Sequence, residues 1–313
     1  MEEKLTPLFL VNGFLDSGKT QFLKFTMEQE YFQTEGKTLL IVCEYGEEEY
    51  EKSFLEKYNT VLFEAQKIED ISSENLAKLN EEYKPERILL EWNGVWNQDD
   101  FKLPKELYLN QMITIFDTST MDLYLKNMKP LMGSMLRKSE LVICNRADDI
   151  DMDILAKYHL AIRAMASDAE IVFEGKEGEI RGDFSIELPY DINADSITVE
   201  NQYFGIFYID SMDRTEKYDN KEVEYVGQVL KPKAIPKNSM VIGRTVMTCC
   251  EADMRFLGLI CKSEQVDAFK NKDWVKVRGT LKNEFVDVYG GEGAVIYVKD
   301  IVRTSPVNEI ISF

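Results

Sequence analysis

From Pro7 to about Glu174 the sequence keeps one rhythm, short apolar runs alternating with stretches of helical character, and that rhythm admits few folds. The runs are Leu8 to Asn12, Thr38 to Cys43, Thr60 to Phe63, Arg87 to Glu91, Met112 to Phe116, Leu141 to Asn145 and Glu170 to Phe173. Several are apolar almost without interruption, as strands covered on both faces are. Lys19 to Glu28 and Asp151 to Met165 read as two of the intervening helices. The expected architecture is an α/β domain over residues 1–185, a mostly parallel sheet with helices on both faces.

The rhythm stops in a polar stretch rich in Gly, Glu and Asp, from Glu174 to about Asp195. Over residues 196–313 strand-like alternation takes over, at Tyr203 to Ile209, Glu222 to Leu230, Met240 to Thr248, Phe256 to Cys261, Trp274 to Leu281 and Ala294 to Val298. No helix longer than Glu264 to Asn271 is expected there. The set predicts a small all-β domain, with an OB-like barrel as first choice.

A length of 313 residues with 44% hydrophobic content suits two such domains, each with its own core. Lys and Arg number 37 against 56 Asp and Glu, a formal charge of −19. A field of that sign repels a phosphate backbone, so no nucleic-acid partner is expected, although OB barrels often bind oligonucleotides. No apolar run reaches the ~20 residues of a membrane span, so the chain is not expected to insert in a membrane. Glu2 and Glu3 stand where a secretory signal carries cations, which points to the cytoplasm. Five cysteines, at spacings that suggest no disulfide framework, fit a compartment that keeps thiols reduced.

Gly13-Phe14-Leu15-Asp16-Ser17-Gly18-Lys19-Thr20 follows the first strand and opens a helix, with two glycines four residues apart before Lys and Thr. This is the P-loop pattern. Its glycines let backbone N–H groups and a helix N-terminus face an anion; Lys19 supplies a cation for β- and γ-phosphates and Thr20 a hydroxyl for Mg²⁺. Asn145-Arg146-Ala147-Asp148 ends a late strand and fits a guanine reader. A carboxylate at Asp148 can accept the ring N–H and the exocyclic amine of guanine, groups that adenine does not present together, so GTP is favoured over ATP. A plain Asn/Asp-rich turn is the alternative. Glu91 ends the strand Arg87 to Glu91 as a metal-facing acid, and Gly94 follows where backbone would approach a γ-phosphate. Glu47, or Glu44, stands at a similar strand end and could touch Mg²⁺ or a second metal.

With these motifs in order, residues Leu8 to Glu174 resemble the CobW/HypB/UreG (G3E) group of GTPases, most closely its CobW-like metallochaperone branch. The likeness rests on Gly13 to Thr20 followed by Gln21-Phe22-Leu23, on Glu44-Tyr45-Gly46-Glu47, on Glu91 to Gly94 and on Asn145 to Asp148. It implies a GTP/GDP site formed by Gly13, Asp16, Ser17, Gly18, Lys19, Thr20, Gln21, Gly94, Asn145, Arg146 and Asp148. It further implies Mg²⁺ on Thr20, Glu91 and Glu47, and slow GTP hydrolysis with Lys19, Thr20 and Glu91 as the catalytic set. Delivery of a transition metal, zinc first, to a client protein and a nucleotide-dependent homodimer belong to the same implication. The family's Cys-x-Cys-Cys motif has no counterpart here, since no cysteine lies between Cys43 and Cys144. Asp16 replaces a small residue and would repel GTP unless Mg²⁺, a proton or a neighbouring donor compensates. Arg146 stands where lysine is usual.

From about Gly227 to Pro306 the chain is similar to the C-terminal module of YcgQ-like proteins, which accompany a predicted membrane permease. The matching residues are Gly243 to Asp253, Gly258 and Trp274 to Gly279. Cys249, Cys250 and Asp253 form a candidate soft-metal (Zn²⁺) set, or else one cysteine lies in the core and one near the surface. In a simple hairpin Cys261 would pair near Arg244, about five residues and on the order of 17 Å from the cysteine pair. His159 reads as a helix-rim residue. Trp92 and Trp96, flanking Gly94, read as packing residues or as a partner-facing segment. Two functions compete: a GTPase switch in metal homeostasis, and a GTP-responsive adaptor of a permease with little turnover.

Overall fold

The computed structural model describes residues 5–249, 253–307 and 309–312. The chain forms two compact units that divide between Asp183 and Phe184.

The first unit is built on strands β1 (Thr6–Gly13), β2 (Thr38–Val42), β3 (Thr60–Glu64), β4 (Arg87–Glu91), β5 (Leu107–Asp117), β6 (Leu141–Asn145), β7 (Glu170–Gly175) and β8 (Gly178–Glu179), in the sheet order β3-β2-β4-β1-β5-β6-β7-β8. All neighbours are parallel except β7 and β8. The helices are α1 (Lys19–Glu28), α2 (Lys52–Lys57), α3 (Ser73–Tyr83), α4 (Met121–Asn127), α5 (Lys129–Leu136) and α6 (Met152–Met165). Leu8, Leu10, Leu39, Ile41, Ile88 and Leu90 bury one face of the sheet, while Val11, Leu40, Val42, Leu89, Ile113 and Ile115 bury the other. Two dry faces are why the strand sequences lack polar alternation. The chain leaves β1 for β2 on one side and later returns through β5 on the other, and ligands in open α/β sheets bind beyond the carboxyl ends of strands at such a crossing.

On α6, burial, followed by the nearby Arg163 charge, lowers the His159 pKa from 6.5 to about 4. Neutral imidazole is therefore favoured in the folded unit. Stability that is full above pH 6.5, where both states are neutral, is lost as pH falls toward 4, because only the unfolded chain then takes up the proton. The partly exposed ring limits this to about 1–3 kcal/mol. His159→Gln should flatten the acid limb of the first unit's stability curve by that amount in urea titrations at successive pH values. Parallel curves for variant and parent would sink the assignment.

The second unit contains β9 (Ser196–Thr198), α7 (Phe204–Asp213), α8 (Thr215–Tyr218), β10 (Glu222–Leu230), β11 (Ser239–Met247), β12 (Met254–Lys262), β13 (Trp274–Val286), β14 (Gly291–Arg303) and β15 (Ile311–Ser312). Five of these close a ring: β10 pairs β11, β11 pairs β12, β12 pairs β14 in parallel, β14 pairs β13, and β13 returns to β10. The β-dominated domain is present as expected, but two local readings need correction. Tyr203 to Ile209 is not a strand; Phe204–Asp213 is a helix whose Phe204 and Phe207 pack on Tyr225, with ring centroids 5.2 and 5.9 Å away. A short apolar run carries no period that separates strand from helix. Glu264 to Asn271 holds a single 3-10 turn, Val266–Ala268. Among the described residues, no helix is long and apolar enough to cross a membrane.

Candidate nucleotide site

The carboxyl end of β1 turns sharply into α1, and the turn can be built only with glycine at its corners. Gly13 has φ +147°, and a Cβ there would stand 2.3 Å from the Ile115 carbonyl oxygen. Gly18, with φ +99°, caps the N-terminus of α1, and its Cβ would meet Asn145 Nδ2 at 2.6 Å. The loop therefore presents backbone rather than side chains, and α1 points its unpaired N–H groups at the space above it.

Lys19 is buried, 3% exposed, and its ammonium donates to the carbonyls of Gly13 (3.1 Å) and Phe14 (2.8 Å) and to the carboxylate of Glu44, with which it forms an ion pair. Thr20 Oγ1 donates to Glu91 Oε1 at 2.8 Å, and Tyr50 OH donates to Glu91 Oε2 at 2.7 Å. Burial raises the Glu91 carboxyl above its ordinary range, opposed by the Tyr50 hydrogen bond, the Lys19 charge and the Thr20 hydrogen bond. Gly94 packs edge-on against the loop, so that a Cβ would come within 2.2 Å of the Gly13 carbonyl oxygen. Here glycine serves close backbone packing on the P-loop itself.

Asp16 takes a left-handed conformation, φ +57°, and accepts the backbone N–H of Glu47 at 3.0 Å on Oδ1. A neighbouring donor thus supplies compensation for its charge. The Glu47 side chain is exposed at the mouth of a cleft of about 100 Å³ that Lys19, Thr20, Gln21, Glu44 and Glu91 also line. Gln21 Nε2 reaches Glu48 at 3.4 Å.

From the end of β6, Asn145 Nδ2 donates to the Ser17 carbonyl at 2.7 Å. Arg146 Nη1 donates to the Asp16 carbonyl at 3.1 Å and pairs with Asp117. Asp148 is exposed and accepts the Lys176 backbone N–H on Oδ1 at 2.7 Å. Ser17 Oγ, Asn12 Nδ2 and Asn145 Oδ1 are buried polar atoms without a hydrogen-bond partner, all at the loop or beside it. Two segments 128 residues apart are thus tied into one surface. Tyr50, Asp117 and Asn93, whose Nδ2 donates to the Cys43 carbonyl at 3.3 Å, also belong to this constellation and were not read from the sequence. Asp117 ends a strand, as Glu91 does, and that was its one available signal.

The candidates elsewhere are arranged differently. Cys249 Sγ donates to Asp253 Oδ2 at 3.3 Å, and Thr248 Oγ1 donates to the same oxygen at 2.5 Å. Cys250 lies outside the described residues. No cluster of three or more metal-ligating side chains occurs among the described residues. Cys261 faces Met240 rather than Arg244, because β11 and β12 pair in the register that sets Met247 against Met254 and Arg244 against Leu257. Buried, and close to Tyr225 at 3.7 Å, its thiol is pushed up to about 12 chiefly by burial. Trp92 is fully buried between Trp96 and Phe101, at 5.9 and 5.0 Å.

A glycine-cornered loop over a helix N-terminus, a buried lysine, and a hydroxyl–carboxylate pair beyond a parallel sheet define a P-loop nucleotide-binding protein. The chain belongs to the CobW/HypB/UreG family: residues 7–173 match its nucleotide-binding domain. Residues 178–311 match the DUF1980 C-terminal domain. Among solved structures, hydrogenase maturation factor HypB from Archaeoglobus fulgidus is 16% identical, over 55% of this chain and 82% of its own, with a TM-score of 0.40. HypB from Helicobacter pylori in complex with nickel is 14% identical, over 56% of this chain and 81% of its own, with a TM-score of 0.38. No curated protein matches.

Proposed function

We propose that the chain is a guanine-nucleotide-binding GTPase in transition-metal handling. The observation that carries the nucleotide part is the hydrogen bond from Asn145 to the P-loop, which brings the Asn145 to Asp148 segment to the rim of the phosphate site. The alignment of hard oxygen donors on Thr20 and Glu91 fits Mg²⁺, and these two residues would hold it. When bound, Mg²⁺ supplies Lewis-acid charge at phosphoryl oxygens. Lys19 neutralises phosphate charge, the N–H groups from Asp16 to Thr20 orient the phosphates, and Asp148 reads the base.

Calorimetric titration with GTP and with ATP tests this reading. GTP should bind with ATP excluded, and Asp148→Asn should weaken GTP by about 100-fold or more, since two hydrogen bonds to a charged acceptor are lost. The same change should admit xanthosine triphosphate, whose C2 carbonyl meets the new amide N–H. Equal binding of GTP and ATP by the parent protein would overturn guanine selectivity.

The metal part rests on family membership, and zinc is its first candidate. The hydrogen bonds from Thr248 and Cys249 to Asp253 Oδ2 favour a second reading, a GTP-responsive adaptor of a permease, because they engage this carboxylate oxygen within the chain rather than present it to a metal. Zn²⁺ titrated into nucleotide-loaded protein separates the two: a metallochaperone shows a coupling between metal and nucleotide affinities, and an adaptor does not. We read the ring order β10-β11-β12-β14-β13, with its parallel β12 and β14, as an OB-like barrel.

A further inference from the structure

The segment between β2 and α2 carries one residue that the P-loop chemistry has not absorbed. Tyr50 sits at the end of a run of glutamates, yet its side chain turns inward, packs with the core around Val42 and Phe54, and lies with Lys24 Nζ 5.8 Å from its ring centroid. Its hydroxyl donates to Glu91 Oε2 at 2.7 Å. Glu91 is 3% exposed, and the terminal torsion of a glutamate is intrinsically broad. Two hydroxyls fix it here, one on each oxygen, Thr20 on Oε1 and Tyr50 on Oε2.

The two donors are not equivalent. By giving its hydrogen to Glu91, Thr20 keeps its lone pairs for a cation. Tyr50 holds the other oxygen, with its hydroxyl also in hydrogen-bonding contact with Thr20, so its effect is to hold the carboxylate in the rotation that faces Thr20. We propose that Tyr50 is a positioning residue for the divalent-cation site, acting through Glu91 and tying that site to the 44–51 segment. This rests on the reading of Thr20 and Glu91 as the cation-holding pair. Partners behind ligating carboxylates orient them, and their loss weakens metal binding by about 10- to 100-fold.

The test is Tyr50→Phe, which keeps the ring and its packing. Mn²⁺ binding to the full chain loaded with GDP, and separately with ADP, is followed by the electron paramagnetic resonance of free Mn²⁺. Nucleotide affinity in EDTA is measured by calorimetry. The variant should bind Mn²⁺ about 10- to 100-fold more weakly while its metal-free nucleotide affinity stays within about twofold. In a Glu91→Gln background the same change should have no further effect on Mn²⁺. Unchanged Mn²⁺ affinity overturns the proposal, and so does a parallel fall in both affinities, the signature of a merely structural role. Because both nucleotides are used, a preference for ADP would overturn guanine selectivity and leave this comparison intact; binding of neither would overturn both.

Discussion

Lys19→Ala is expected to lower GTP affinity by about 100-fold in calorimetry and, with it, any hydrolysis. The ammonium makes a charge-assisted contact of the kind that contributes about 1.5–3 kcal/mol, and in this cleft its removal has a second consequence. Glu44 loses its ion-pair partner and leaves an unpaired carboxylate, 12% exposed, beside the phosphate position. The variant should therefore be worse than the loss of one contact alone. Glu44→Gln added to Lys19→Ala should recover part of the affinity, because the leftover charge is then gone; the two changes should be strongly non-additive. If Lys19→Ala binds GTP within about threefold of the parent, the phosphate assignment of the loop fails.

Much of this site could be read in one dimension because its chemistry is local. Gly13, Gly18, Lys19 and Thr20 act through spacing along one turn, and Asn145 to Asp148 through a strand end. The strands Arg87–Glu91 and Leu141–Asn145 were equally legible, since burial on both faces writes itself as an unbroken apolar run. Tyr50 was not legible: its partner is 41 residues away, and its neighbours Glu48, Glu49 and Glu51 look like a solvated face. The carboxylate of Asp16 posed a question that only folding answers, because the compensating donor is a backbone N–H from another segment. In the second unit, Phe204 to Ile209 has the β-branched and aromatic composition of a strand, and tertiary packing onto Tyr225 makes it a helix.

The other large effect is expected in the second unit. Gly227, Gly243 and Gly258 lie across β10, β11 and β12, Gly243 directly opposite Gly258, where an added Cβ on any of the three would meet a neighbouring strand within 3 Å. A Cβ on Gly243 would stand 1.9 Å from the Leu257 carbonyl oxygen and 2.4 Å from the Gly258 Cα, both backbone atoms with nowhere to retreat. Gly243→Ala should destabilise the unit by more than about 3 kcal/mol, the upper range for overpacking. Trp274 on β13 is the unit's own fluorophore, the other two tryptophans being Trp92 and Trp96, so its emission should report the shift during unfolding. Gly291→Ala is the matched control, as nothing lies within 4 Å of its added carbon, and it should stay within about 0.5 kcal/mol. Equal behaviour of the two variants would mean that the strands are not so close.

Closure of the ring has a consequence for the protein at high concentration. An open sheet offers its outer strands as templates on which another chain can continue the hydrogen-bond ladder, and long flat edges are where aggregation starts. In the second unit the ring is shut by two three-residue ladders, β10 on β11 and β12 on β14, so that among the described residues β12 from Met254 to Leu259 and β14 from Val298 to Arg303 are each paired on one side only. Ladders that short hold by few bonds and part before the longer β11–β12 and β13–β14 ladders do. Should those seams part, β12 and β14 offer long free edges to a second copy, so dispersal of the protein at high concentration depends on the two short ladders staying shut.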